Sequence, residues 1–356
     1  MDDRVYIYGI IASNEVKQFG RTPGLHGQVS NPIGEASRTG EVYTIPYQDI
    51  ACVVRDTDMD SFSSLPKEVL GRHLVEHQMV IERVMQNYTI IPFKFGTIAE
   101  GRDEVTSILQ GGYTSFKAKL GAMDRTIELD VAALWNHMNG VIRRIGEEND
   151  KIRSFRDEVA KKPPQETLQD RIKIGCMIKD ALDEQKTRLR AEMFEVLSET
   201  VADCQEHELM DDKMVLNCAF LLPKDRETEF DRALDELNKK YKEEIDFKCV
   251  GPLPPYSFST VEVKKVGYEE IDAAKQVLGL GDAVTMAEIK ECYRELALKF
   301  HPDNNPDDPD CEKRFENMSK AYKLLSDYCQ HTGAGAGCIL RAAEKTNFVL
   351  VDFVKV

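Results

Sequence analysis

The stretch Glu288-Ile-Lys-Glu-Cys-Tyr-Arg-Glu-Leu-Ala-Leu-Lys-Phe-His-Pro-Asp303 decides how the rest of the chain is read. Apolar residues recur at Ile289, Cys292 or Tyr293, Leu296, Ala297 and Phe300, the three-and-four spacing that buries one face of a helix. Lys290 and Arg294 stand four apart on the other side. The helix cannot run past His301, because Pro302 lacks a backbone donor and drives the residue before it out of helical conformation. His301, Pro302 and Asp303 are therefore presented together at a turn. After Asn304-Asn-Pro-Asp-Asp-Pro309, a second run sets Phe315, Met318, Ala321, Tyr322 and Leu325 on one stripe, which predicts a pair of antiparallel helices.

The segment from about Tyr268 to Tyr328 resembles the J-domain of Hsp40-type co-chaperones. Val277-Leu-Gly-Leu280, Tyr293-Arg-Glu-Leu-Ala297 and Ala321-Tyr322-Lys-Leu-Leu-Ser-Asp327 stand at family positions around the His-Pro-Asp tripeptide. The resemblance implies that His301, Pro302 and Asp303 stimulate ATP hydrolysis by an Hsp70 (DnaK-type) chaperone. It also implies that Lys290, Tyr293, Arg294 and Lys299 lie on the surface that docks there. One departure bears on mechanism: the family's second helix is usually basic, whereas here Glu288, Glu291 and Glu295 match the three cations, which implies weak or selective docking. Neither a glycine/phenylalanine-rich linker nor a repeated Cys-x-x-Cys-x-Gly zinc domain follows. The rest of the chain must supply the client.

Composition limits what that rest can be. A chain of 356 residues, 42% hydrophobic, is long enough for two or three cores. No apolar run approaches the roughly 18 residues that a membrane span requires, and Met1-Asp-Asp-Arg-Val-Tyr-Ile lacks the order of a signal peptide. A cytoplasmic protein with no membrane partner is expected. The formal charge of −15 argues against nucleic acid, which needs a concentrated basic surface. Nine cysteines, without a Cys-x-x-Cys pair, indicate neither a disulfide framework nor a structural zinc site.

From the N-terminus, Val5-Tyr-Ile-Tyr-Gly-Ile-Ile11, Glu41-Val-Tyr-Thr-Ile45 and Ile50-Ala-Cys-Val-Val54 read as strands. A helix is expected from about Pro66 to Asn87, a strand over Thr89–Gly96 and a helix over Glu104–Leu120, closing an N-terminal domain over residues 1–125. Within the first helix, His73-Leu-Val-Glu-His77 fits His-x-x-Glu-His, which puts two imidazoles on one helical face beside a carboxylate. A zinc hydrolase using His73, Glu76 and His77 would need a third ligand, and none is identifiable. The alternative is a pair of polar residues on a solvated or partner-facing side.

A short strand at Thr126–Asp130, closed by Trp135, precedes two long helical runs. Val141, Ile145, Ile152, Phe155 and Val159 lie on one, and Leu168, Ile172, Leu182, Leu189, Met193 and Val196 on the other. Lys161-Lys-Pro-Pro164 separates them, so they are expected to form an antiparallel hairpin over residues 126–212. Strand Met214–Leu222, helix Asp225–Tyr241 and strand Ile245–Val250 suggest a ferredoxin-like unit over residues 213–266.

Val5-Tyr-Ile-Tyr-Gly9, Ile91-Pro-Phe-Lys-Phe-Gly-Thr97 and Gly251-Pro-Leu-Pro-Pro-Tyr-Ser-Phe258 resemble three marker stretches of the gas vesicle GvpF/GvpL family, in order, from Met1 to about Val263. Lys94 stands where that family commonly has arginine, and Leu253 where it commonly has tryptophan. The resemblance implies a minor gas vesicle component that binds the major shell protein and other gas vesicle proteins and helps nucleate assembly. Candidate contact residues are Pro92, Phe93, Lys94, Phe95, Gly96, Gly251, Pro252, Pro254, Pro255, Tyr256 and Phe258.

After Gly333-Ala-Gly-Ala-Gly337, the apolar run Thr346–Val354 reads as a last strand. It is expected to return to the ferredoxin-like unit, making the J-like helices (267–330) an insertion and residues 331–356 a linker and returning strand. The expected fold class is α+β: an N-terminal α/β domain, a long helical hairpin and a ferredoxin-like unit with an inserted helical J-domain. The expected function is a non-enzymatic, cofactor-free assembly factor at the gas vesicle with an Hsp70-recruiting arm. A structural vesicle protein whose J-like hairpin is inert is the alternative.

Overall fold

The computed structural model describes residues 4–22, 40–300, 308, 310–331, 338–339 and 348–354. The chain forms two compact units, one from the segments before Met123 and after Phe258, the other from the segment between them.

The first unit begins with β1 (Val5–Ile11), β2 (Gln18–Arg21), β3 (Glu41–Tyr47), β4 (Ile50–Asp56), α1 (Lys67–Met85), β5 (Ile90–Pro92), β6 (Ile98–Ala99) and α2 (Arg102–Ala122). The strands pair antiparallel in the order β2-β3-β4-β1-β5, with β6 also on β1. All seven residues of β1 are buried, which is why this strand reads as a continuous apolar run rather than an alternating one. Gly9 is required there: a Cβ would lie 2.6 Å from the Ile90 side chain and 2.7 Å from the Ile91 carbonyl. Helix α1 buries His77, Val80, Ile81 and Val84, and α2 buries Val105, Ile108, Leu109, Phe116 and Leu120.

The second unit comprises β7 (Thr126–Trp135), α3 (Met138–Glu148), α4 (Asp150–Val159), α5 (Leu168–Leu197), β8 (Asp203–Glu206), β9 (Met214–Pro223), α6 (Glu227–Tyr241), β10 (Ile245–Leu253) and α7 (Tyr256–Ser259). Its sheet is antiparallel throughout, in the order β10-β7-β9-β8. Numbered from β7, that is fourth-first-third-second, the order of a ferredoxin-like βαββαβ fold. The ferredoxin-like reading therefore holds over a longer segment than expected. The boundary expected between 212 and 213 does not divide the fold, because β7 lies between β9 and β10 and the helical pair is the crossover from β7 to β8. Two local details also differ. The strand expected at Thr126–Asp130 runs to Trp135, since it is central and paired on both sides. The first long helix breaks at Asn149, whose side chain accepts from the amides of Lys151 and Ile152 and starts α4 afresh.

The chain then returns to the first unit through β11 (Thr260–Val266), α8 (Tyr268–Leu278), β12 (Ala283–Val284), α9 (Met286–Lys299), α10 (Cys311–His331), β13 (Cys338–Ile339) and β14 (Phe348–Val354). Strands β11 and β14 pair over seven residues each, from Thr260↔Val354 to Val266↔Phe348. The last strand does return, but to β11 and not to the sheet that holds Met214–Val250. Strand β11 joins the first unit at the Phe93↔Val261 bridge, where the Lys94 amide donates to the Val261 carbonyl at 2.8 Å. The Phe353 ring lies 6.0 Å from Phe116 of α2. The ion pairs Lys94–Glu262 and Lys265–Glu104, at 2.6 and 3.0 Å, reach solvent and contribute at most about 1 kcal/mol each. Backbone pairing and the phenylalanine contact carry the attachment. Helices α8 to α10 thus stand between the two strands of one ribbon.

Cys329 is disulfide-bonded, a pairing that the sequence reading did not single out. Pairing depends on approach in space, and neither an odd count nor spacing reveals it. Cys52, Cys176, Cys204, Cys218, Cys249, Cys292 and Cys311 are free.

Candidate functional site

The J-like helices close over their own core. Ile271, Ala274 and Leu278 of α8, Ile289 of α9, and Met318, Ala321, Leu325, Tyr328 and Cys329 of α10 are buried together with Val266 and Val284. Helix α9 opens with a capping box. The Thr285 hydroxyl accepts from the Glu288 amide, while the Glu288 carboxylate accepts from the Thr285 amide at 2.7 Å. That bonding holds the Glu288 carboxyl below its ordinary range. Tyr293 is half-buried and stacks on Tyr322 with ring centroids 4.3 Å apart, so its ring ties α9 to α10. Lys290, Arg294 and Lys299 are exposed.

His301, Pro302 and Asp303 lie outside the described residues. The structure does fix the ends of the helices that flank them. The Cys311 thiol donates to the Phe300 carbonyl at 3.1 Å, and the Arg314 guanidinium lies 5.5 Å from the centre of the Phe300 ring. The C-terminal end of α9 is therefore held against the N-terminal end of α10.

The stretch Pro92–Gly96 leads from β5 into an aromatic cluster. Pro92 and Phe93 are buried, and Phe95 packs near Tyr6, Phe62 and His77 at centroid distances of 6.5, 5.1 and 5.5 Å. Gly96 has φ +88° and faces Phe62, a backbone conformation that side chains resist. Lys94 alone in this stretch is exposed.

The same cluster decides the fate of the His73–His77 motif. His77 is buried, its Nδ1 lies 2.8 Å from the Tyr6 hydroxyl, and its ring stacks on Tyr8. Burial, and then the Arg55 charge, push its pKa down to about 4, so the ring is neutral. His73 instead sits 3.3 Å from Glu76. Among the described residues no group of three His, Cys, Asp or Glu side chains converges as a metal would require. The two imidazoles of this helix serve different neighbours.

In the second unit, Gly251–Phe258 folds back onto β7. Gly251 has φ +149°, and a Cβ there would lie 2.5 Å from the Leu129 side chain and 2.9 Å from the Glu128 carbonyl. Gly251 and Pro252 are exposed, whereas Pro254, Pro255 and Phe258 are buried and Tyr256 is half-buried. The anchor is Ser257. Its amide and its hydroxyl both donate to the Glu128 carboxylate at 2.9 Å, and the hydroxyl lies 3.3 Å from His207 Nε2. Glu128 is 1% exposed. Burial pushes its pKa up to about 8, the Ser257 amide opposes that rise and Asp130 adds to it. Burial raises Asp130 too, with His207 pulling the other way. Sequence reasoning singled out the Gly251–Phe258 stretch but missed Glu128, Asp130 and His207. The available signal was two carboxylates two apart in an apolar strand.

The family profile described as "Gas vesicle synthesis protein GvpL/GvpF" matches residues 4–260, and the DnaJ domain profile matches residues 276–331. Gas vesicle protein F of Haloferax mediterranei is 21% identical over 266 residues, which cover 74% of this chain and 96% of the relative. The crystal structure of GvpF from an Anabaena species superposes with a TM-score of 0.60 at 20% identity, covering 72% of this chain and 98% of that one. At that identity the likeness is one of fold. Chaperone protein DnaJ of Cupriavidus taiwanensis is 52% identical over 52 residues, 15% of this chain, and the match spans 14% of the relative's length.

Proposed function

Because the chain belongs to the gas vesicle synthesis protein GvpL/GvpF family and carries a DnaJ domain, we propose that it is a gas vesicle assembly factor that holds the major shell protein and brings an Hsp70 to it. The observation that carries this reading is the placement of α8 to α10 between β11 and β14. The ribbon joins the J-like module to the unit that bears Pro92–Gly96, and this supports a reading in which a client held there meets the recruited chaperone.

The protein acts in this reading without catalysis or cofactor of its own. It binds neither nucleic acid nor membrane, and it works in the cytoplasm and at the vesicle. No helix among the described residues is long and apolar enough to cross a membrane. Lys94, Gly251 and Pro252 are the family-stretch residues exposed enough to meet a partner. The others shape the backbone that presents them. A rib-forming shell protein is a hazard when free, and strand addition at a sheet edge is one mode that would hold it.

Co-purification of the full chain with the shell protein, with and without Hsp70 and ATP, tests the reading. Retention of the shell protein by the chain, and its ATP-dependent release when Hsp70 is present, is the expected result. A chain that captures no shell protein would end the client half of the proposal. An inert J-like hairpin predicts instead that His301→Gln leaves release unchanged.

A further inference from the structure

The ribbon of β11 and β14 continues the first unit's sheet outward. Strand β5 pairs with β1, and the residues that follow it, Phe93 and Lys94, bridge to Val261 of β11. Beyond β11 comes β14, which among the described residues has no strand on its other side. At the opposite end of the sheet, β2 is only four residues long and loses register against β3, two of the ways in which proteins blunt an edge that would otherwise pair with another chain. Strand β14 is not blunted. It runs seven residues in unbroken register with β11, and Phe348-Val-Leu-Val-Asp-Phe-Val354 contains no proline, glycine or lysine. Its one charge, Asp352, is engaged by Lys323 of α10 at 3.1 Å.

The strand is complementary to itself. Antiparallel pairing about Val351 is the register in which all seven residues find partners. It sets each phenylalanine against a valine, Phe348 on Val354 and Phe353 on Val349, with Val351 on its own copy. Residues directly opposite share a face, so Val351 and Phe353 of both copies lie on the side where the Phe353 ring meets Phe116 and Lys119 of α2. Asp352 falls opposite Leu350 of the second copy, which keeps the two carboxylates apart. Pairing about Asp352 instead would set like charges against each other and leave Phe348 and Val349 unpaired.

We propose that β14 pairs with β14 of a second copy of this chain, making a two-fold dimer through a continuous sheet. Backbone hydrogen bonds supply the affinity, and the side-chain register supplies the specificity. Pairing also covers both exposed edges at once. The strand lies outside residues 4–260 and 276–331, so neither family profile covers this contact.

The test is sedimentation velocity of the full chain across roughly 1 to 100 µM, with hydrogen exchange at both ends of that range. A monomer–dimer equilibrium is expected, in which the β14 amides exchange more slowly as concentration rises. Position 350 then reads the register. Leu350→Asp sets a carboxylate against each Asp352 of the pair, Leu350→Lys sets an ammonium group there, and Leu350→Asn is the uncharged reference. The dissociation constant of Leu350→Asp is expected to exceed that of Leu350→Lys by roughly tenfold, with Leu350→Asn between. Adding Asp352→Asn should erase the difference. All three substitutions are polar, so a shared loss of packing cancels in the comparison. A chain that stays monomeric at every concentration overturns the proposal, as does a dimer indifferent to the sign of the charge at position 350. Amides of β14 that slow only when the shell protein is added would give the edge to that client and overturn the second copy as its occupant. Where the variants fail to fold, the wild-type chain decides: exchange in β14 that does not change with concentration overturns the dimer.

Discussion

Glu128 shows what one residue can hold and why its role was hidden. In β7 it alternates with Ile127, Leu129 and Val131, so the strand pattern places it with Asp130 on a face that reads as solvated. Its partner Ser257 is 129 residues away. The folded-state pKa of about 8 lies above the ordinary carboxyl value of 4.5, so the folded unit keeps a proton that the unfolded chain releases. Stability from this site is then complete below about pH 4.5 and is lost as pH rises towards 8. Glu128→Gln keeps an acceptor for the Ser257 amide and cannot ionise. It is expected to leave the second unit as stable as wild type at pH 4 and to make it more stable than wild type at pH 9, measured by denaturant unfolding at the two pH values. Gly251→Ala is expected to cost roughly 1 to 3 kcal/mol at any pH, because φ +149° and the Glu128 carbonyl at 2.9 Å leave a methyl group no room. An unfolding midpoint unchanged by this substitution would mean that the backbone of the motif adapts.

At the scale of elements, long periodic segments were legible and short ones were not. The 3.6-residue pattern gave α1, α2, α5, α6, α9 and α10 to within a few residues, because each buries one face. Strands β2, β6, β8, β12 and β13, of two to four residues, leave no period to detect. The partner of β14 was legible only as a need for a sheet; which sheet depends on the approach of Phe353 to Phe116 and on the register with β11. That outcome relocates an expectation. Deleting Phe348–Val354 should loosen β11 and the neighbouring face of α2, not the sheet of the second unit. Hydrogen exchange would report it as faster exchange over Thr260–Val266 and Arg102–Ala122, with Met214–Pro223 unchanged. Faster exchange in β9 instead would return the last strand to the ferredoxin-like sheet.

For the molecule as a whole, two units with differently buried titrating groups should answer pH in opposite senses. In the first unit His77 is held neutral against Tyr6 and Tyr8, its pKa depressed from the ordinary 6.5 to about 4. The unfolded chain takes up a proton at a pH where the folded unit does not, so stability from His77 is complete above pH 6.5 and is lost as pH falls towards 4. In the second unit Glu128 works the other way, losing stability as pH rises from about 4.5 to about 8. Calorimetry of the full chain between pH 5 and pH 8 should therefore resolve two transitions, one moving up in temperature with pH and the other down. His77→Gln should flatten the first alone and Glu128→Gln the second alone, since the groups belong to separate units with separate cores. A single transition with one pH dependence, altered equally by both substitutions, would show that the two units unfold as one and that neither group governs a unit of its own.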